Sequence, residues 1–186
     1  NDPRIVAIPL HPNDKKTLMK ALAWAEDCFH HFLLTSREPQ AEAAREYLKS
    51  RELTKDSVKH FHIGFAPGDN WLMQRASSAG FSPQVLLAAG LAGERDGRYY
   101  DFFRDRLMFS IRNVQGAPIA FGGRILPGDP NEGRVGKYVN TRETAVFAKH
   151  RQVYALDLAR NALRDNKHLI VVEGYTDVVA AHQSGV

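Results

Sequence analysis

The sequence lacks the features that mark disulfide-rich, membrane-spanning or secreted proteins. It contains one cysteine, Cys28, which excludes an internal disulfide and a thiolate-rich zinc site. No apolar run approaches the ~20 residues of a membrane-spanning helix. The first residues lack the basic start and apolar core of a signal peptide. These absences, with no internal repeat, predict a soluble, cytoplasmic protein that has no membrane partner.

Charge is present in ordinary amount but unevenly placed. The 186 residues are 44% hydrophobic and 25% charged, with a net charge of +4, and this composition is typical of a folded globular chain. Residues 1–97 hold 12 basic and 12 acidic residues, whereas residues 98–167 hold 13 and 7. Residues 168–186 hold only two acids. Since basic surfaces attract phosphate and clustered carboxylates bind hard cations, this order is the first indication of function.

The hydrophobic pattern predicts helices first, then short strands, then one further strand and helix. Residues 1–13, with three prolines, are interpreted as an arm. Asp14 is the predicted N-cap of a helix reaching about Leu34. The remaining predicted helices cover 40–50, a short piece from Thr54, 71–79, 83–89, 153–164 and 177–183. The predicted strands cover 61–66, 107–112, 118–121, 124–126 and 168–173, with a break at Gly122 and Gly123, a turn at 95–98 and a mixed or antiparallel sheet.

The strongest local signal is the segment LIVVEGYTDVVAA, residues 169–181. Its aliphatic run predicts a strand covered on both faces, as in a parallel α/β sheet. Glu173 then lies at the end of the strand and Asp177 in the first turn of the next helix, where both can face one crevice. Such a carboxylate pair suits Mg²⁺. Spacing alone leaves a second interpretation open, in which Glu173 is a solvated strand end and Asp177 a helix cap.

Several motifs together resemble one family. VVEGYTDVV resembles the opening of the TOPRIM fold, which DnaG-type bacterial primases share with topoisomerases and some nucleases. Upstream lie YLKSREL, IGFAPGDNW, YYDFFRDRLMFSIRN, IAFGGRIL and GKYVNTRETAVFAKHRQVYAL. Their order and spacing, over about residues 40–186, resemble the catalytic core of a DnaG-type primase.

The resemblance implies an α+β fold in two parts. Residues 14–166 would form a helical lead-in and a mixed or antiparallel sheet, a basic subdomain that binds template and nucleotide. Residues 167–186 would be the truncated first β-α unit of the TOPRIM subdomain, so the chain is expected to stop inside a second domain. Arg51 matches the YLxxRG motif, although Glu52 stands where the family usually has glycine. Ser110, Gly136 and His150 also depart from the family pattern, at positions usually held by Pro, Pro and Gly.

The resemblance also implies roles for individual residues. Glu173 would be catalytic, and Glu173 with Asp177 would hold the metal. The residues implied to bind nucleotide are Lys137, Tyr138, Asn140 and Lys149. The residues implied to bind DNA are Arg51, Arg104, Arg106 and Arg124.

The implied activity is synthesis of short RNA primers on single-stranded DNA by metal-dependent nucleotidyl transfer. The implied cofactor is Mg²⁺ or Mn²⁺, and any zinc would belong to a separate N-terminal domain. The partners would be template, ribonucleoside triphosphates and, through a C-terminal domain, a replicative helicase at the nucleoid. The 186 residues alone are expected to be inactive. Two alternatives stay open: another TOPRIM enzyme, namely a nuclease or topoisomerase, or a non-catalytic module that binds single-stranded DNA.

Overall fold

The computed structural model describes residues 14–166 and 168–186, and this part of the chain contains seven α-helices. The arm predicted over residues 1–13 lies outside the described residues. As predicted, the carboxylate of Asp14 caps the first helix, accepting from the backbone N–H groups of Lys16 and Thr17. The helices are α1 Lys15–Thr35, α2 Pro39–Ser50, α3 Lys55–His60, α4 Trp71–Ala76, α5 Pro83–Ala88, α6 Leu156–Asn166 and α7 Tyr175–Gln183, with a 3₁₀ turn at Lys149–Arg151.

The described strands pair antiparallel in two sheets. They are β1 Gly64–Ala66, β2 Ala92–Arg95, β3 Arg98–Asp101, β4 Arg106–Arg112, β5 Pro118–Ile125 and β6 Tyr138–Asn140. The larger sheet has the order β1-β4-β5-β6, and β2 pairs with β3 alone. Asp96 and Gly97, at the predicted turn, both have positive φ, as a tight two-residue hairpin requires. The helices and antiparallel sheets confirm the α+β class.

The large sheet is covered on both faces by hydrophobic clusters. Consecutive residues of β4 point to opposite faces, so each cluster receives alternate residues of this strand. Met108 belongs to the cluster that includes Phe29 of α1, whose ring meets Phe121 edge-on at 5.6 Å. Phe109 belongs to the opposite cluster, which includes Val179 of α7. Every residue of β5 is buried. Thus α7 reaches the sheet that forms the centre of the molecule.

The predicted break at Gly122 and Gly123 is wrong, since both residues lie inside β5 and pair with β4. The register shift between these strands falls at Ile111 and Arg112 instead. Glycine is needed at both positions because aromatic side chains lie directly against the strand there. A Cβ on Gly122 would lie 2.5 Å from the ring of Tyr175, and one on Gly123 would lie 2.8 Å from Phe103.

The strand predicted over residues 168–173 is also wrong for this chain. Residues 168–172 have no regular secondary structure, and Ile170 and Val171 are 66% and 76% exposed. A strand forms when its backbone groups pair with a neighbour, and no strand of the part described lies beside this segment. The helix after it begins at Tyr175, two residues earlier than predicted. Across residues 14–166 and 168–186, no helix is long and apolar enough to cross a membrane.

Candidate active site

The two predicted metal-binding acids lie at the start of α7. Glu173 and Asp177 are exposed, and neither carboxylate has a hydrogen bond or ion pair with another described residue. Gly174 directly follows Glu173, and a Cβ there would lie 2.7 Å from Asp177 Oδ2, so a larger residue would displace this carboxylate. Carboxylate oxygens free of protein partners are a donor set that fits Mg²⁺ or Mn²⁺. The described residues hold no group of three or more such ligands.

Glu173 opens onto a groove of about 670 Å³. Its polar wall includes Tyr138 and Asn140, which were predicted to bind nucleotide, and Tyr175. Its other walls are mostly apolar and come largely from residues 153–155, α6, α7 and residues 169–172, with two histidines, His168 and His182, also in the lining. The structure therefore brings one predicted catalytic residue and two predicted nucleotide-binding residues to a single groove.

Tyr175 connects the start of α7 to the sheet. Its hydroxyl donates to Asn140 Oδ1 at 2.9 Å. Its ring stacks on Phe109 with 5.0 Å between centroids and 9° between planes. Burial raises the pKa of the Tyr175 hydroxyl to about 12, so the hydroxyl stays protonated and donates throughout the neutral range.

Arg124 organises Tyr138 at the edge of the groove. Its guanidinium carbon lies 4.5 Å from the Tyr47 ring centre and 5.5 Å from that of Tyr138, within cation–π distance of both. Its Nη1 donates to the Tyr138 hydroxyl at 3.1 Å. Arg124 is only 7% exposed, whereas Tyr138 is 37% exposed. The cation thus holds an aromatic ring whose outer side reaches solvent.

Arg106 is engaged with the backbone. Its guanidinium donates to the carbonyl oxygens of Gly123, Lys137 and Gly136 at 3.2, 3.3 and 3.0 Å. The side chain is 6% exposed, and burial lowers the pKa of its guanidinium. Its contact with DNA stays a prediction. The guanidinium already connects β5 to the loop before β6.

The other predicted basic residues are exposed. Arg104 lies 5.6 Å from the centre of the Tyr100 ring. Lys137 directly precedes β6, and Lys149 begins the 3₁₀ turn, where its backbone N–H donates to Glu143 Oε1 at 2.8 Å. Arg51 caps the C-terminus of α2. None of the four lines the groove, so their predicted contacts with nucleotide and DNA stay predictions about the surface around it.

Two polar contacts were not predicted from the sequence. Glu26 lies on the apolar side of α1, is 5% exposed, and receives two hydrogen bonds from the Arg112 guanidinium at 3.0 and 2.6 Å. A glutamate inside the apolar stripe of a helix was the signal that could have found this pair. Gln183, at the end of α7, hydrogen-bonds to residues near α3, and no local pattern marks it.

The comparison with known proteins decides the family. A family model described as the DNA primase catalytic core, N-terminal domain, matches residues 29–160. The chain belongs to the DNA primase catalytic core family. This confirms the resemblance drawn from the motifs.

Curated primases match most of this chain. The DNA primase of Deinococcus radiodurans is 44% identical over 146 residues, which are 76% of this chain and 24% of that protein. The DNA primase of Pseudomonas aeruginosa is 41% identical over 181 residues, which are 96% and 26%. The chain therefore spans about a quarter of the length of these relatives.

Solved primase cores share the fold. The RNA polymerase domain of Mycobacterium tuberculosis primase DnaG, in complex with a double-stranded DNA that carries a 6-nucleotide overhang, aligns with a TM-score of 0.85 and 33% identity. That alignment covers 93% of this chain and 53% of the neighbour. A DnaG primase catalytic domain bound to ssDNA aligns with a TM-score of 0.76 and 39% identity, covering 92% and 51%.

Proposed function

We propose that this chain supplies the template- and nucleotide-binding half of a primase active site, which makes RNA primers on single-stranded DNA for replication. The observation that carries the proposal is the groove shared by Glu173, Tyr138 and Asn140. It brings together, along one groove, an acid that has no partner among the described residues, an exposed aromatic ring and an amide. Since the chain spans about a quarter of its curated relatives, the activity belongs to a longer catalytic core that contains it.

In this proposal Glu173 and Asp177 would hold Mg²⁺ or Mn²⁺. When bound, such an ion stabilises the charge that develops on the α-phosphate and the leaving pyrophosphate during nucleotidyl transfer. Lys137 and Lys149, both exposed, would pair with the triphosphate of the incoming ribonucleotide. The outer side of Tyr138 offers a surface on which a base can stack.

Template binding would use the exposed cations. Residues 98–167 carry 13 basic and 7 acidic residues, and Arg104 lies in this stretch. Arg51 would extend the surface from the end of α2. Arg106 and Arg124 would act indirectly, by holding the β6 edge and the Tyr138 ring. The DNA named in the two structural neighbours supports a nucleic-acid ligand here.

Replacing Glu173 by Gln in a catalytic core that includes these residues tests the proposal. The charge is lost and the shape kept, so primer synthesis should fall at least about 100-fold while affinity for single-stranded DNA changes less than about twofold. Glu94→Gln, an exposed acid on β2, serves as the control and should leave both quantities unchanged. Full synthesis by Glu173→Gln, or loss of DNA binding with synthesis intact, would contradict the assigned role.

The neighbour bound to ssDNA also favours a narrower function for the 186 residues alone, namely DNA binding without synthesis. Fluorescence anisotropy with a labelled single-stranded oligonucleotide measures it. Affinity should fall steeply with salt, and Arg51→Ala with Arg104→Ala, which remove two exposed cations, should flatten that dependence by about one unit of slope per lost phosphate contact. An affinity that did not depend on ionic strength would argue against a surface that contacts phosphates.

A further inference from the structure

The C-terminal end of α7 is attached to residues far away in the sequence. Gln183 Oε1 accepts from the backbone N–H of Thr54 at 2.8 Å and from the hydroxyl of Ser57 at 2.7 Å. Its Nε2 donates to the carbonyl oxygen of Glu52 at 2.9 Å. One amide thus uses both of its ends to bind the turn that joins α2 to α3.

The same end of α7 is also packed against α3. The ring of His182 meets Phe61 edge-on at 5.2 Å and lies 5.3 Å from the ring of His60. Val179, one turn earlier on α7, is fully buried. These contacts hold the C-terminal end of α7 against α3, so the hydrogen bonds of the exposed Gln183 depend on α7 staying in place.

The N-terminal end of α7 is attached to the sheet by Tyr175. Besides the bond from its hydroxyl to Asn140, the ring occupies the space that Gly122 leaves on β5. The ring also stacks on Phe109 of β4, the cross-strand partner of Gly122, so two strands of the sheet hold it. Tyr175 is two residues from each of the two acids, Glu173 and Asp177.

We propose that Gln183 and Tyr175 are positioning residues that set where Glu173 and Asp177 stand relative to Tyr138 and Asn140. This rests on the proposed function of the two acids. The acids themselves have no side-chain partner in the described part of the chain, so their placement follows from the helix that carries them. The two attachments fix that helix at its first and last residues, and both are made to residues before position 141.

Graded substitutions of Gln183 test the proposal. Gln183→Glu keeps the oxygen acceptors for Thr54 and Ser57 but loses the donor to Glu52, whereas Gln183→Ala loses all three bonds. In a catalytic core that contains this chain, kcat should fall by about 10-fold or more for the alanine variant and by less for the glutamate variant. The KM for nucleotide and the affinity for single-stranded DNA should change by less than about twofold. Tyr175→Phe, which keeps the ring and loses the bond to Asn140, should resemble the glutamate variant.

Two matched controls and a readout other than activity complete the test. Gln84→Ala removes an exposed glutamine of α5 whose side chain has no hydrogen bond in the described part of the chain, and Tyr99→Phe removes a hydroxyl from β3. Neither should change kcat. Hydrogen exchange of the α7 amides should accelerate about 10-fold in Gln183→Ala and stay unchanged in both controls.

The outcomes separate this inference from the function on which it rests. If Glu173→Gln abolishes synthesis while Gln183→Ala keeps both the kcat and the α7 exchange rates of the parent protein, the positioning role is wrong. If Glu173→Gln keeps full synthesis, the function assigned to the acids is wrong, whatever Gln183 does. An equal loss in Gln183→Glu and Gln183→Ala would also count against the graded role of the amide.

Discussion

At the scale of single residues, Glu52 is one of the non-glycine residues whose backbone lies in the left-handed region. Its φ is +59°, in the left-handed region that glycine occupies without cost. DnaG-type primases usually have glycine at this position, and the structure supplies the physical reason. Its side chain is exposed, and its carbonyl oxygen is the part that matters, because it accepts from Gln183.

Glu52→Gly should therefore stabilise the protein. A left-handed residue with a Cβ costs about 1–2 kcal/mol, and the greater freedom of glycine in the unfolded chain returns part of it. The expected gain in the free energy of unfolding is about 0.5–1 kcal/mol, measured by urea denaturation. Glu46→Gly, in the middle of α2, is the matched control and should lose about 1 kcal/mol. A loss of stability in Glu52→Gly would show that the glutamate side chain contributes something its exposure does not suggest.

Residue type was easier to predict from the sequence than residue environment. The motifs identified Arg104, Arg106 and Arg124 as one basic group, yet only Arg104 is exposed. Arg106 and Arg124 became buried because carbonyl oxygens and aromatic rings, brought from 14 to 77 positions away, surround them. Local pattern contains no information on such partners, so environment had to come from the structure.

At the scale of elements, Arg106 holds β6 at the edge of the large sheet through hydrogen bonds. β6 has three residues and few ladder bonds of its own. The guanidinium on β4 reaches past β5 and binds the carbonyl oxygens of Gly136 and Lys137, which lead into β6. The position of Tyr138 and Asn140, at the edge of the groove, depends on that short strand.

Arg106→Lys should weaken the β6 edge, because an ammonium group cannot bind three carbonyl oxygens in the planar geometry of guanidinium. Since hydrogen bonds to charged groups contribute about 1.5–3 kcal/mol each, the expected loss in the free energy of unfolding is about 2–4 kcal/mol. Arg104→Lys, at an exposed position, should change it by less than about 0.5 kcal/mol. Chemical denaturation measures the free energy of unfolding of both variants. Equal losses in the two variants would show that Arg106 does not hold the β6 edge.

Elements were predicted well where one pattern decides them. In α1, the seven apolar residues that recur at spacings of three and four along the sequence are all buried, because their spacing alone selects a face. They are Leu18, Ala21, Leu22, Ala25, Phe29, Phe32 and Leu33. The prediction failed at Gly122 and Gly123, where distant rings require glycine inside a strand, and at residues 168–172, where a strand pattern has no strand beside it.

At the scale of the whole molecule, the first helix and the sheet are joined by a partly buried charge pair. Glu26 of α1 and Arg112 of β4 are 86 positions apart and share two hydrogen bonds. His62 lies beside them, with 3.8 Å between its Nδ1 and Glu26 Oε2. The sequence predicted the two acids of α7 and the residues of β6 as parts of one site, but this pair and the attachment of α7 required the fold.

Two histidines, His62 beside this pair and His182 near the end of α7, make stability depend on pH. Burial lowers the pKa of His62 below its ordinary 6.5, and the positive charge of Arg112 adds to the shift, while Glu26 opposes it. Burial and His60 lower the pKa of His182 in the same direction. A depressed pKa means that the unfolded chain takes up protons first as pH falls. These histidines therefore favour unfolding below their unfolded pKa of about 6.5.

The free energy of unfolding should be constant above about pH 7.5 and should fall as the pH drops through 6.5 toward 5.5. Asp101 and Asp105, whose pKa values are raised by burial above 3.8, act in the opposite sense but in a more acidic range. His62→Asn should flatten the decrease, and asparagine accepts the positive φ of 48° at this position. Urea denaturation at half-unit steps of pH measures both curves. Stability that rises on acidification would show that Glu26 holds His62 in its charged form instead. Identical slopes in the two proteins would show that His62 does not contribute to the pH dependence.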